Sequence, residues 1–293
     1  MRAGRFTGGW VSSNVNLRSG RWPSLRSCTL SLFLARPDAA LARYCDCVHW
    51  QAIDTIPIRM SGPVTSARGN AIGAALLKRA VPLSQLHDGR LEPLATAALV
   101  RDGGRAGLLT AAHIFERAQA GDLAVPLPRD GGFVQLHAAR VRITVHPVSD
   151  VAILWIGNPS AAQRLCANWE ASPIQGLTAP EPARSHYVLA GYPACNARRV
   201  DGCVYVKPLI LFTGSIDTQR YFYARTAERL DGVTIWTPEL DGVSGATLWS
   251  ISEDEDDDVT CVLRPAAVQT AFLHSTHLRA ESIGCVLDLL KTC

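Results

Sequence analysis

The chain has 293 residues, 47% of them hydrophobic and 19% charged, with a formal net charge of +3 at pH 7. That balance excludes a disordered polyelectrolyte, and no apolar run reaches the roughly 20 residues that a membrane-spanning helix needs. The positive charge is local. Residues 1 to 59 hold eight Arg and three Asp but no Lys or Glu, and the rest of the chain carries 21 basic against 23 acidic side chains, so the body has no electrostatic basis for gripping nucleic acid.

Residues 1 to 59 also contain three of the seven Trp and show little sustained periodicity. Ser27 to Ala35 is apolar enough to suggest a signal-peptide core, with Ala39-Ala40-Leu41-Ala42 as a small-residue cleavage site, but the basic stretch before it is long and Arg36-Pro37-Asp38 interrupts it. The other readings are a disordered basic extension and, because Met60 is the only other methionine, an upstream stretch that the mature protein does not need. The expected division is therefore an N-terminal extension over 1–59 and a folded body over 60–293. Ala71 to Ala80 is a short apolar-basic patch, too brief to span a bilayer.

From there the pattern is that of short strands. Ala98-Leu99-Val100-Arg101 and Leu108-Leu109-Thr110 flank Asp102-Gly103-Gly104, which predicts a hairpin with His113 just past its second strand. Asp130-Gly131-Gly132, Asp201-Gly202 and Asp231-Gly232 punctuate further runs over Phe133 to Val145, Tyr187 to Tyr192, Val204 to Ile216 and Val233 to Thr237. Val151 to Ile156 is a continuous apolar run, so Asp150 stands at the mouth of a buried strand. Hairpin-length turns cannot make parallel crossovers, so the class is all-β and antiparallel. Pro159, Pro173, Pro180 and Pro182 mark Gly157 to Arg184 as a connection. Ala246 to Ile251 and Val259 to Leu263 predict a hairpin around the acidic run Glu253 to Asp258, which reads as a solvated loop, with a cation site as the lesser alternative. Ile283, Val286, Leu287 and Leu290 have helical spacing and predict a short C-terminal helix over about 279–291, packing on the second half of the body.

Three separated residues carry the chemistry. A serine hydroxyl is a poor nucleophile unless an imidazole takes its proton, and that imidazole needs an acid on its far nitrogen to fix its tautomer. His113, Asp150 and Ser244 supply base, acid and nucleophile, each beside an apolar strand or in a tight turn, and Gly242 and Gly245 flank Ser244. The order His, Asp, Ser differs from the serine-first order of α/β-hydrolases and the aspartate-first order of subtilisins.

The segments Thr110-Ala111-Ala112-His113, Asp150-Val151-Ala152-Ile153-Leu154 and Gly242-Val243-Ser244-Gly245 closely resemble those of the trypsin-like, chymotrypsin-fold serine peptidases, over roughly residues 94 to 252. Tyr187 to Pro193 is similar to the Gly-Tyr-Pro strand of many bacterial members. The resemblance implies two packed antiparallel β-barrels, the first about 90–157, a linker about 158–184 and the second about 185–278, with the site in the cleft between them. It implies a serine endopeptidase acting through an acyl-enzyme, with the N–H groups of Gly242 and Ser244 as oxyanion hole and no metal or organic cofactor. The substrate is a peptide or protein. Counting back six residues from the nucleophile puts Pro238 at the base of the specificity pocket, with Glu239 and Leu240 beside it, and a small or apolar substrate side chain is the favoured occupant.

Departures from the family pattern matter. Val243 replaces the aspartate that pairs with a new amino terminus in trypsin-type zymogens, so the oxyanion loop is expected to form without such a cleavage, either constitutively or on binding a substrate or activating partner protein. Ala246 stands where the family often has a second glycine, and Ile114 follows His113 where secreted relatives have a cysteine. The nine cysteines include no Cys-x-x-Cys pair, Cys45-x-Cys47 reads as incidental, and a reducing, cytoplasmic setting is expected, with secretion left open. His274 and His277 lack partner ligands nearby and read as surface or packed residues. The alternatives to an active peptidase are a catalytically silent peptide-binding module of the same fold and a hydrolase that works only after a partner remodels its cleft.

Overall fold

The computed structural model describes residues 32–33, 56–59, 66–87, 90–130, 132–174, 186–200, 203–222, 228–230, 233–235, 240–254, 257–273 and 277–291. Two curled antiparallel sheets make up most of it, with a short helix at the C-terminal end. Before them come β1 (Leu32–Phe33), β2 (Ile56–Arg59) and helix α1 (Ser66–Leu77). The expected boundary at residue 59 falls at the end of β2.

The first sheet is built from β3 (Ala80–His87), β4 (Arg90–Asp102), β5 (Arg105–Thr110), β6 (Leu123–Pro126), β7 (Phe133–Gln135), β8 (Val141–Val145) and β9 (Ala152–Ile156), in the spatial order β7-β6-β3-β4-β5-β9-β8. The expected hairpin is β4–β5, turning at Gly103-Gly104 with Asp102 opposite Arg105. The run Phe133 to Val145 makes two strands rather than one, because Leu136 to Arg140 turns and Arg140 adopts a left-handed φ of 52°. Every residue of β9 is buried, since β5 and β8 flank its edges and apolar clusters cover both faces. A one-turn helix α2 (Ile114–Arg117) follows β5 directly.

The proline-rich connection contains a helix that its composition did not announce, α3 (Pro159–Asn168). Asn158 caps it: its Oδ1 accepts the N–H groups of Ser160 at 3.0 Å and Ala161 at 3.3 Å. Pro159 occupies the first turn, where a missing N–H costs nothing. Next, β10 (Ser172–Pro173) lies parallel to β4, and the connection's residues 175–185 fall outside the described residues.

The second sheet uses β11 (His186–Gly191), β14 (Leu209–Gly214), β15 (Arg220–Phe222), β18 (Thr247–Asp254), β19 (Asp257–Leu273) and β20 (His277–Ser282), in the order β14-β11-β18-β19-β20-β15. The strands β12 (Ala197–Val200) and β13 (Cys203–Val206) form a hairpin to which β1 adds, and β16 (Glu228–Leu230) pairs with β17 (Val233–Ile235). The predicted hairpin around the acidic run is β18–β19, whose tip at 255–256 lies outside the described residues, and β2 pairs with β19 from Thr260 to Leu263. The last helix, α4 (Ile283–Lys291), starts later than about 279 because His277–Ser282 is held as a strand between β15 and β19.

Packing unites the two sheets. Ile72, Ala75 and Leu76 of α1 share one buried cluster with Val81 and Leu83 of β3 and with Val188 and Ala190 of β11. Ile283, Val286 and Leu289 of α4 bury against Val268 of β19 but also against Val151, Ile153 and Trp155, so the helix packs on the first sheet as well as the second. Removing this apolar surface from water, at about 25 cal/mol per Å², is what drives the sheets together. The strand end at Thr110, the turn before β9 and the loop before β18 consequently meet.

Candidate active site

His113 emerges from β5 through Thr110 and Ala111, both fully buried, and stands at the N-cap of α2. Asp150 ends the turn from β8 to β9. It grips His113 at two points: its Oδ1 accepts the His113 backbone N–H at 2.8 Å, and its Oδ2 lies 2.6 Å from Nδ1. The Asp150 carbonyl also accepts the Ala112 N–H at 3.3 Å. An ionised carboxylate only accepts, so Nδ1 carries the proton and the Nε2 lone pair is free to serve as a base. The pair is partly shielded, with 27% and 32% of the two side chains exposed.

Ser244 lies in the turn that leads into β18. Leu240 and Val243 are buried apolar anchors on either side of Asp241-Gly242. Gly242 and Gly245 both have φ of +90°, a left-handed conformation that disfavours any side chain. A Cβ on Gly242 would meet Tyr192 O at 2.6 Å; one on Gly245 would fall on Thr96 O and Thr110 Oγ1 and lie 2.9 Å from Ala111 N. The backbone beside Ser244 therefore abuts the strand end that carries His113. Among the described residues Ser244 Oγ makes no hydrogen bond, to His113 or to any other group.

The turn's peptides are oriented one by one. Ala194 N donates to Asp241 O at 2.6 Å, Val243 N to Leu240 O at 2.9 Å and Gly245 N to Gln269 O at 2.7 Å. In a trans peptide the N–H points opposite to the C=O, so the bond to Asp241 O turns the Gly242 N–H away from Ala194. Among the described residues the N–H groups of Gly242 and Ser244 have no acceptor, which leaves two donors able to stabilise an oxyanion.

One residue that the sequence reading passed over ties these parts together. Thr96, in β4, has 0% exposure. Its Oγ1 donates to Gly242 O at 2.8 Å and accepts from Tyr192 N at 3.0 Å. Its N–H donates to Ser244 O at 2.9 Å, and its carbonyl accepts the Thr110 hydroxyl at 2.9 Å. A strand of the first sheet thus holds the turn of Ser244 and the strand that leads to His113 at once. The available signal was a single hydroxyl amid Leu94-Ala95-Thr96-Ala97-Ala98, since a polar group in a buried strand must find partners. Tyr192 is itself fully buried, and burial raises its phenol above the ordinary value and keeps it neutral.

Of the expected specificity pocket, Leu240 is buried below the turn, while Pro238 and Glu239 lie outside the described residues. Among the described residues no group of three metal-ligating side chains converges, no helix is long and apolar enough to cross a membrane, and Cys166 and Cys285 are in no disulfide. His277 lies in β20, while His274 and much of the acidic run fall outside the described residues.

No protein-family model matches the chain. No curated protein matches it either. Among solved structures it is similar to one concerning the aromatic interactions that drive coupled folding and binding of the intrinsically disordered Sesbania mosaic virus VPg protein, with a TM-score of 0.42, 15% identity, and coverage of 71% of this chain and 89% of that one. It is also similar to a thermostable serine protease, AL20, from an extremophilic microorganism, with a TM-score of 0.43, 10% identity, and coverage of 72% of this chain and 94% of that one.

Proposed function

We propose that the chain is a serine endopeptidase in which Ser244 attacks the substrate carbonyl, His113 removes its proton and then protonates the departing amine, and water hydrolyses the acyl-enzyme. The observation that carries this reading is the two-point grip of Asp150 on His113, which fixes the tautomer that a base requires and favours the imidazolium formed during reaction. The N–H groups of Gly242 and Ser244 receive the oxyanion, where one such donor contributes about 3 to 4 kcal/mol to the transition state. Val243, buried among apolar side chains, supports an oxyanion loop that forms without a cleaved amino terminus. The pocket beside Leu240 takes a small or apolar side chain.

The test is labelling by a fluorophosphonate probe. Stoichiometric modification mapped to Ser244, abolished by heat unfolding, is the expected result; a folded protein that never labels refutes the reading. One observation favours the second reading, a silent peptide-binding module or a hydrolase completed by a partner: Ser244 Oγ and His113 are not hydrogen bonded. Such bonds often tighten only once substrate is bound, which is why the peptidase reading stands first.

A further inference from the structure

Asp150 sits in a turn that another histidine closes. The His146 backbone N–H donates to Val151 O at 2.9 Å, so the chain from 146 to 151 loops back on itself. The His146 imidazole bonds to that loop's own backbone. Its Nδ1 accepts the backbone N–H of Ser149 at 2.8 Å and that of Val148 at 3.3 Å. Ser149 O in turn accepts the Val151 N–H at 2.8 Å. The Val151-to-Ser149 bond fixes the peptides on both sides of Asp150, whose carbonyl also accepts the Ala112 N–H, and the imidazole fixes the two peptides before them at the exposed tip, where Val148 is 89% exposed.

We propose that His146 is a positioning residue for Asp150, holding the 146–151 turn through an unprotonated Nδ1, so that protonation of His146 releases the turn and loosens the grip of Asp150 on His113. The inference rests on the peptidase reading for its functional meaning but not for its structural content. An imidazole nitrogen that accepts two N–H groups must keep its lone pair. When it takes a proton from solvent, a donor faces two donors, and both bonds are lost.

Two side chains of α4 lie near the turn. Asp288 on α4 is held below the usual carboxylate range mainly by its hydrogen bond from Lys291, and also by His146. Cys285, on the same helix, accepts the Ser149 hydroxyl at 3.2 Å and gives the turn a second, weaker tether. Asp150 is occupied by His113.

Asparagine separates the two roles of His146, because its Oδ1 accepts N–H groups two and three residues on and does not titrate. The experiment uses the full chain as wild type, His146→Asn and His146→Ala, with two readouts across pH. The first is the low-field proton resonance of His113 Nδ1–H, which reports the contact with Asp150 whether or not the protein is a peptidase. The second is the rate of Ser244 labelling by the fluorophosphonate probe.

In the wild type the resonance is expected to disappear on acidification. His146→Asn should retain it to lower pH, and His146→Ala should weaken it at every pH. Labelling should fall more steeply on acidification in the wild type, where both the base and the turn are lost, than in His146→Asn, where the turn is kept. His146→Ala should label roughly 10- to 100-fold more slowly at alkaline pH, the scale expected when a catalytic group is misplaced. Superimposable pH profiles for wild type and His146→Asn, or a full-strength resonance in His146→Ala, overturn the proposal. A wild type that never labels but shows the expected resonance behaviour supports the positioning role and overturns the peptidase reading instead.

Discussion

Replacing Thr96 with valine removes one hydroxyl from a fully buried position and leaves two backbone groups without partners, the Gly242 carbonyl and the Tyr192 N–H. Valine leaves no cavity, but its methyl takes the place of a hydroxyl 2.8 Å from the Gly242 oxygen, so crowding adds to the loss of both bonds. Each orphaned buried group costs about 1 to 3 kcal/mol, so Thr96→Val should destabilise the protein by about 2 to 6 kcal/mol, a large share of the 5–15 kcal/mol typical of a folded domain. Thr96→Ser keeps the hydroxyl and loses one methyl, which costs on the order of 1 kcal/mol. Urea unfolding measures both, and the midpoint should move far more for valine than for serine. Probe labelling of Ser244 should fall in the same order, because the Gly242 carbonyl anchors the nucleophile's turn to β4. Thr110→Val frees the Thr96 carbonyl, and the double variant should couple with Thr96→Val by about 0.5 to 3 kcal/mol. A Thr96→Val protein within about 0.5 kcal/mol of wild type, labelling at the wild-type rate, would refute the idea that this hydroxyl locks the two sheets at the site.

Ser244→Ala should lower peptide turnover by on the order of a millionfold with its unfolding midpoint unchanged, and near-normal cleavage by that variant rules out Ser244 as nucleophile. Asp150→Asn should cost about 10⁴-fold, because an amide at this position permits the wrong imidazole tautomer, which kinetics on the purified variant would read. Gly245→Ala forces a side chain into φ +90° and onto Thr96 O and Thr110 Oγ1, so it should destabilise by at least about 2 kcal/mol in urea, and a neutral result would mean the turn is elsewhere. Burial first, then Tyr187 and Asp217, push the Tyr221 phenol from 10.0 up to about 12. The folded state therefore holds this proton more tightly than the unfolded one. The associated stability is full below pH 10 and is lost as pH rises through about 12, and Tyr221→Phe should lessen the alkaline loss in a melting series from pH 8 to 12.

Local chemistry made much of the fold readable in advance. The β4–β5 and β18–β19 hairpins follow from apolar runs on either side of turn or acidic residues, the burial of β9 from its unbroken Ala152 to Ile156 run, and α4 from the spacing of Ile283, Val286 and Leu290. Each of these patterns concerns neighbours in the chain and the non-directional removal of apolar surface from water. For the same reason α3 was hidden: the prolines spoke for a connection, while the deciding capping bonds of Asn158 depend on geometry. His113, Asp150 and Ser244 stood out by residue type and order, but no spacing states that Asp150 meets both the backbone N–H and Nδ1 of a residue 37 positions away. Thr96 is the extreme case, with a hydroxyl bonded to a carbonyl 146 positions away and a backbone N–H bonded to Ser244. Hydrogen bonds are directional and short, so which distant groups become partners is decided only when the two sheets have curled and packed and the register of every strand is set.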